Sequence, residues 1–392
     1  MKILHTADWH LGRILGGRDL LPDQKHTLEH LVEIARQQSV DAIVIAGDIY
    51  DRAQPSEEAI NLFGKVLTEL RGIAQVLCIA GNHDSAGRIS FASGLLAASG
   101  VHMAGNEVGA PVYVDVISEK RATDKVRFHL MPYATPEEVR TALTVDAIRT
   151  HSDAIEKRVP LCTLATDCPN VLVAHLFAQG CHPSDSERDI AVGGIAQVDT
   201  ALFKKFAYTA LGHLHEPHDV PKTAGTTGKA SYSGSICRYS FSEEKHEKSV
   251  TIVTIDSQGA MTTQHLPLKQ TVGMRSIKGK LEKIVAAAIL ETPEVRARDL
   301  VRIELTDTAP IGPTYARLRD LYPNMLEYSH AIGATTIGKG RITEDQLRSG
   351  SPIEHFKTFF AEFAEHLTET EKSDTLAAAC DCMEVATKDE TK

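Results

Sequence analysis

The chain lacks any apolar run able to cross a bilayer. The longest clean one, Ile284–Leu290, is seven residues, against the roughly 18–20 a spanning helix needs. It lacks a CxxC pair, and its seven cysteines are scattered and odd in number; that excludes a disulfide framework and suits a reducing cytoplasm. No signal-peptide core fits the N-terminus, because His5, Asp8 and His10 interrupt it. A cytoplasmic location without a membrane partner is therefore expected. Positive charge is also short. The net charge is −10, and the stretch from Leu367 onward holds seven acids against three lysines. A protein that gripped nucleic acid by bulk positive charge would look different. This balance predicts weak binding alone, unless divalent cations meet the phosphates.

What is present is ordinary except for one residue type. Hydrophobic content of 42% and charged content of 24% are globular values that support a real core. The 392 residues suggest two to three domains. Histidine stands out at 18 residues, and it is the commonest metal ligand.

Lys2–Thr6, Asp41–Ala46 and Gln75–Ala80 read as buried strands. Lys25–Gln38, Ser56–Leu70 and Ile89–Ala98 between them carry helical spacing. Continuous apolar strands joined by helices imply an α/β layer with both sheet faces covered. Strand-like segments then dominate: Val112–Ile117, Val126–Met131, Val171–His175, Ala207–Leu211, Ala230–Tyr232, Val250–Ile255 and Thr262–Leu266. They imply a second sheet packed on the first. After Gln270 a small α+β unit is expected, from Lys280–Leu290, Asp299–Leu305 and Pro313–Leu321. Thr343–Leu367 reads as a helix, and the polar residues after it as disordered.

Five short segments fall where strands end: Asp8 to His10, Gly47 to Arg52, Gly81 to Asp84, Ala174 to His175, and Gly212 to His215. Ligands of α/β sheets bind beyond the carboxyl ends of strands, where loops converge. Asp8 with His10, and His213 with His215, are two apart and share one face of an extended strand end. Each motif alone is weak, since D-x-H or H-x-H is common on a polar strand face. The ordered set D-x-H, G-D-x-x-D-R, G-N-H-D, H and G-H-x-H is specific. Asp, Asn and His without thiolate favour Mn²⁺, Fe²⁺, Mg²⁺ or Zn²⁺ over a structural cysteine-type zinc.

With these motifs the chain resembles the calcineurin-like metallophosphoesterases over residues 1 to about 270. It resembles more narrowly the nuclease subunits of bacterial double-strand-break repair complexes. The narrower likeness rests on Met1–Gly12 (MKILHTADWHLG), Gly193 and Gly194 after Ser184–Asp189 (SDSERD), and Tyr232–Glu244 (YSGSICRYSFSEE). The resemblance implies a two-sheet β-sandwich flanked by helices over 1–270, an α+β capping, DNA-binding domain over 271–340, a helical partner-binding segment over 341–368 and an acidic tail over 369–392. It implies two divalent ions, with Mn²⁺ expected first. Asp8, His10, Asp48 and His215 would hold one; Asp48, Asn82, His175 and His213 would hold the other, Asp48 bridging. His83 would serve as proton donor or transition-state stabiliser, with the Asp51 carboxylate behind it. Asp84 reads as orienting its loop through backbone hydrogen bonds, with a place as the partner of His83 as the alternative.

The implied activity is metal-dependent hydrolysis of DNA phosphodiesters, exonucleolytic and endonucleolytic, under control of an ATPase partner. A small-molecule phosphodiesterase or nucleotidase, or a non-catalytic scaffold, are the alternatives. The residues after 270 weigh against the first, and the complete ligand set against the second. His182 and Arg188, in the polar loop after His175, are candidate DNA contacts, as is Arg52; each could equally be a solvated surface residue. The partner is expected to grip Thr343–Leu367, where Phe356, Phe359, Phe360 and Phe363 form one broad aromatic face. A homodimer is expected through Ser56–Leu70 and Ile89–Ala98, whose apolar stripes could instead cover the sheet.

Overall fold

Alternate residues along the first strands enter different cores. In the computed structural model, Ile3, Ala42, Val44, Leu77 and Ile79 face one apolar layer, while Leu4, Ile43, Ile45, Val76 and Cys78 face another. A period of two with both faces buried is what an internal strand of a layered fold requires. The structure describes residues 1–187, 197–221, 228–256, 258–307 and 314–330, with Phe360 and Leu376 in isolation.

The first sheet contains β1 (Lys2–Thr6), β2 (Ala42–Ala46), β3 (Gln75–Ile79) and β4 (Val101–Ala104), all parallel. The second contains β5 (Val112–Ile117), β6 (Lys125–Met131), β7 (Asn170–His175), β8 (Tyr208–Gly212), β9 (His218–Asp219) and β10 (Lys229–Tyr232), in the order β9-β10-β8-β7-β6-β5. β11 (Ser249–Ile255) and β12 (Met261–Pro267) complete the first, whose order is β12-β11-β1-β2-β3-β4. Val126, Phe128, Leu130, Val171, Val173 and Tyr208 of the second sheet close on Ile3, Val44, Leu77 and Val253 of the first. The outer face of the first sheet is covered by α1 (Leu21–Gln38) and α2 (Glu57–Arg71). Ser56 caps α2 by accepting the Ala59 N–H at 3.3 Å.

A third sheet, β13 (Met274–Gly279), β14 (Leu300–Leu305) and β15 (Met325–His330), is parallel and carries its own core of Leu281, Ile284, Ile303, Leu318 and Tyr322. It belongs to the same compact unit as the sandwich. Two links tie it on. A hairpin pairs Ile14 with Asp19 and Leu15 with Arg18. From it Arg18 donates to Asn324 at 3.2 Å and to Asp23 at 2.9 Å. The Ser276 N–H donates to Glu244 at 2.9 Å, and the Arg302 guanidinium lies over the Phe241 ring. Among the described residues no helix is long and apolar enough to cross a membrane.

Two expectations need correction. Ile89–Ala98 is not one helix: Ala86–Ile89 and Ser93–Ala98 are separated at Ala92, whose φ of 57° lies in the left-handed region. Gly94 within this stretch weakens it as a continuous helix. The apolar stripe of Ser56–Leu70, which includes Ile60, Phe63, Leu67 and Leu70 and was expected to pair across a dimer or cover the sheet, is not open at Phe63. That residue is 6% exposed and packs edge-on against Trp9 and Tyr50, whereas Ile60 is 41%, Phe91 80% and Leu95 79% exposed. The Thr343–Leu367 expectation lies outside the described residues, apart from Phe360. Phe63→Ala is expected to cost about 3–5 kcal/mol, the range for emptying a buried aromatic site. Urea titration measures it, and a loss under about 1 kcal/mol would contradict the packing.

Candidate metal centre

The carboxyl ends of β1, β2 and β3 meet those of β7 and β8 at one edge of the sandwich, and the chain turns sharply there. Seven non-glycine residues among those described have positive φ; four of them are Asp8 (53°), His10 (44°), Asp48 (48°) and His213 (107°). Such backbone costs of order 1–3 kcal/mol each and persists only where its surroundings over-determine it. Here Asp8 N–H donates to the Gly47 carbonyl and His10 N–H to the Asp48 carbonyl, both at 3.0 Å. Gln24 holds the same turn through the Trp9 and His10 carbonyls, at 3.0 and 2.7 Å. The glycines of the motifs have a steric reason. A Cβ on Gly81 would collide with the Asp48 carboxylate, and one on Gly47 with the His175 ring.

The side chains converge as a result. Three sets have ligand atoms within 4.8 Å of one another: Asp8, His10 and His215; His10, Asp48 and His83; Asp8, Asp48 and His175. Asp48 is common to two of them. Its Oδ1 accepts the His83 N–H at 2.8 Å, and its Oδ2 lies 3.6 Å from His10 Nε2 and 3.4 Å from His175 Nε2. Asp8 accepts the His213 N–H at 3.0 and 3.1 Å. The His213 ring stands beside His175, 5.4 Å between centroids, and is in none of the three sets.

Burial sets the electrostatics. It pushes Asp8 up to about 7, with the Asp48 charge adding to it against the pull of His175 and His215. For Asp48 burial acts the same way, but His175, His10 and His83 outweigh it and hold the carboxylate well below its usual range. Burial alone would lower His175; Asp48 beside it instead lifts it to about 9. Burial keeps His10 and His213 well below the usual imidazole range. The ring nitrogens show what is wanting. His175 Nδ1 faces the Ala46 carbonyl at 2.9 Å and so carries a proton, while Nε2 faces Asn82 Oδ1 at 2.9 Å. His10 Nε2 and His215 Nε2 face each other at 3.1 Å. His10 Nδ1 and Asn82 Nδ2 are buried with no hydrogen-bond partner. Imidazole nitrogens that face one another beside two buried carboxylates form a set that a cation would satisfy. Oxygen and nitrogen donors without thiolate suit hard or borderline divalent cations. The residues fit the ions.

Comparison with known proteins agrees. Residues 1–217 match the calcineurin-like phosphoesterase family, and residues 270–363 match the family described as type 5 capsule protein repressor C-terminal domain. The chain belongs to the calcineurin-like phosphoesterases. It is 33% identical over 377 residues, 94% of this chain and 95% of the relative, to the SbcD chain of nuclease SbcCD from Staphylococcus saprophyticus subsp. saprophyticus. That likeness places it in the SbcD family. Two solved structures also align. One is a dimetal phosphatase from Danio rerio, at 10% identity over 69% of this chain and 97% of that one, with a TM-score of 0.42. The other is a protein of Thermus thermophilus, at 14% identity over 67% of this chain and 98% of its own, with a TM-score of 0.38.

In this member of the family, Asp8, His10, Asp48, Asn82, His83, His175 and His215 share one cluster. Asp51 does not stand as expected. His83 Nδ1 lies 2.8 Å from the Asp51 main-chain carbonyl, while the Asp51 carboxylate turns to Arg13 at 2.9 Å and lies 3.6 Å from His10 Nδ1. The Arg13 guanidinium is the stronger partner for that carboxylate, so the main chain is left to hold His83. Asp84 does orient its loop, accepting the N–H groups of Ile49, Tyr50 and Gly81 at 2.9–3.1 Å. Arg52 is exposed and lies 3.8 Å from Asp51; His182 is exposed; Arg188 lies outside the described residues. Sequence reasoning missed Ser186, Glu187, Glu243 and Lys248, which surround His215. The signal for the first three was position inside the quoted segments SDSERD and YSGSICRYSFSEE; Lys248 had none.

The raised values predict a pH dependence in chelated protein. A group whose folded pKa is raised contributes stability below its unfolded value and loses it as pH rises through the folded one. Asp8 acts this way from about pH 4 to 7, where the lowered His10 and His213 oppose it, and His175 acts this way, without that opposition, from about pH 6.5 to 9. EDTA-treated protein should therefore lose thermal stability from about pH 6.5 to 9, and Mn²⁺ should flatten the curve by replacing the protons. Melting curves that rise between pH 6.5 and 9 in EDTA would contradict this electrostatic account.

Proposed function

We propose that the chain is the metal-dependent nuclease subunit of an SbcCD-type complex in DNA repair and recombination. It would cut DNA phosphodiesters as a 3′-5′ double-strand exonuclease and a single-strand or hairpin endonuclease. The observation that carries the reading is the buried oxygen and nitrogen cluster around Asp48, in a chain that matches the SbcD chain of a nuclease along nearly its whole length.

Asp8, His10, Asp48 and His215 would hold one divalent ion, and Asp48, Asn82, His175 and His213 a second, Mn²⁺ being the expected metal. When bound, such a pair lowers the pKa of a shared water and neutralises charge on the phosphoryl oxygens. The remaining work falls to the chain. His83 donates its Nδ1–H to the Asp51 carbonyl, so Nε2 would pass a proton to a leaving 3′-oxygen from the imidazolium form, the ring returning to neutral with Nδ1–H kept. Asp84 keeps the His83 and Asp48 loops in register by accepting the N–H groups of Ile49, Tyr50 and Gly81. The burial of the acids keeps bulk water from competing with substrate oxygens.

An SbcC-type ATPase is the proposed partner, gripping Thr343–Leu367, and the protein would act in the cytoplasm at the nucleoid. The second proposed contact is a homodimer. Ile60 and Phe91 line a groove of about 490 Å³ between α2 and the segment after Asp84, with Arg88 and Met103 beside them.

Time courses on 5′- and 3′-labelled duplex with Mn²⁺, Mg²⁺ or EDTA test the activity, and no cleavage with any metal would refute it. Asp48→Asn should remove cleavage together with most metal binding. His83→Gln should keep the metals and lose turnover by roughly 10²–10⁴; loss of metal in that variant would make His83 a ligand instead. For the dimer, Phe91→Glu should give monomers by light scattering while the fold is retained. An unchanged mass would remove this face from the interface.

A further inference from the structure

His215 is held at four points by groups that sit outside the cluster of ligand atoms. Its N–H donates to Glu187 at 2.7 Å, and its carbonyl accepts from Lys248 Nζ at 2.8 Å. Its Nδ1 lies 2.6 Å from Ser186 Oγ and 3.2 Å from Glu243 Oε1. Glu243 and Lys248 are themselves fully enclosed and paired with each other, and Lys248 spends its third donor on Ser235 at 2.8 Å. A buried ion pair of this kind is poor as a source of stability, because desolvation offsets most of the attraction. Its geometry suggests another use.

The protons can be assigned one by one. Ser186 has a single hydroxyl proton and donates it to Glu243 Oε1. Its oxygen can then only accept from the His215 ring. Nδ1 must therefore carry a proton, which leaves the Nε2 lone pair turned inward, toward His10 Nε2 and Asp8. Were Glu243 uncharged and donating, Ser186 could turn its proton onto Nδ1 and the ring could present N–H to the metal position. Lys248 prevents that by matching Glu243 with a fixed positive charge, and its bond to the His215 carbonyl fixes the main chain in the same stroke.

We propose that Glu243, through Ser186 and backed by Lys248, is a positioning residue that sets the tautomer and orientation of His215 for metal binding. This rests on the reading of His215 as a ligand. Carboxylates and hydroxyls behind a metal-binding imidazole are commonly worth roughly 10–100-fold in metal affinity, so the effect is measurable without turnover.

The test is calorimetric titration of Mn²⁺ into metal-free full-length protein. Glu243→Gln and Ser186→Ala should each bind two ions, one with wild-type affinity and one about 10–100-fold weaker. Because Glu243→Gln strands Lys248 without its counter-charge, the paired Glu243→Gln/Lys248→Met variant is measured beside it, with circular dichroism and thermal melting to confirm folding. It should stay folded and show the same selective weakening. His215→Ala is the reference and should lose one ion altogether. If His215→Ala loses its ion while the folded paired variant binds both normally, the positioning role is overturned and the ligand reading stands. If His215→Ala also binds both ions with unchanged affinity, the ligand reading fails and takes this proposal with it.

Discussion

One buried carboxylate organises this molecule. Asp48 is reached by a main-chain N–H from His83 and faces imidazoles from β1's loop and from the end of β7. No single strand could supply that environment. It needs two sheets whose carboxyl ends meet, and loops tight enough to turn back at once. The left-handed backbone at Asp8, His10, Asp48 and His213 follows from this. So do Gly47 and Gly81, where any side chain would occupy the space the carboxylate and the His175 ring require. The strained residues and the chemically useful ones coincide because the same close approach demands both.

This explains why the site was more legible than much of the framework. Strands buried on both faces write themselves as apolar runs, and DAIVIA and QVLCIA correspond to β2 and β3 within a residue or two. The motif residues at their ends could be read because each follows such a run directly. Where structure depended on a break rather than a period, the reading failed. Ile89–Ala98 has helical spacing of apolar residues, but Ala92 turns left-handed and splits it. Asp51 shows a different limit. Its spacing from Asp48 puts it beside His83, but spacing says nothing of whether a side chain or a carbonyl makes the contact. The competing attraction of Arg13, thirty-eight positions away, decided that.

The role of the residues behind His215 was hidden for a related reason, although three of them lie in motif segments. Ser186, Glu243 and Lys248 belong to separate segments, and each is unremarkable in its own neighbourhood. Glu243 looks like a surface acid in a polar stretch, and Lys248 like a strand-edge cation. Only packing reveals that both are enclosed. A buried charge pair has to be matched to something, and in this fold it is matched to the one cluster ligand that lies farthest along the chain.

The small third sheet belongs in this account too. The segment Phe241 to Glu244 divides its side chains between two tasks. Phe241 sits under Arg302 of β14 and Glu244 accepts from Ser276 of β13, while Glu243 between them faces His215. On the other side, the Ile14–Asp19 hairpin starts from the turn that carries His10, since the Arg13 N–H donates to the His10 carbonyl. Its Gly16 approaches Leu326 of β15 so closely that a Cβ there would lie 2.8 Å from the leucine Cβ. Two loops of the cluster are thus buttressed by one small domain. His10 and His213 in those loops have left-handed backbone, so the contacts from the small domain bear on residues with few alternative conformations.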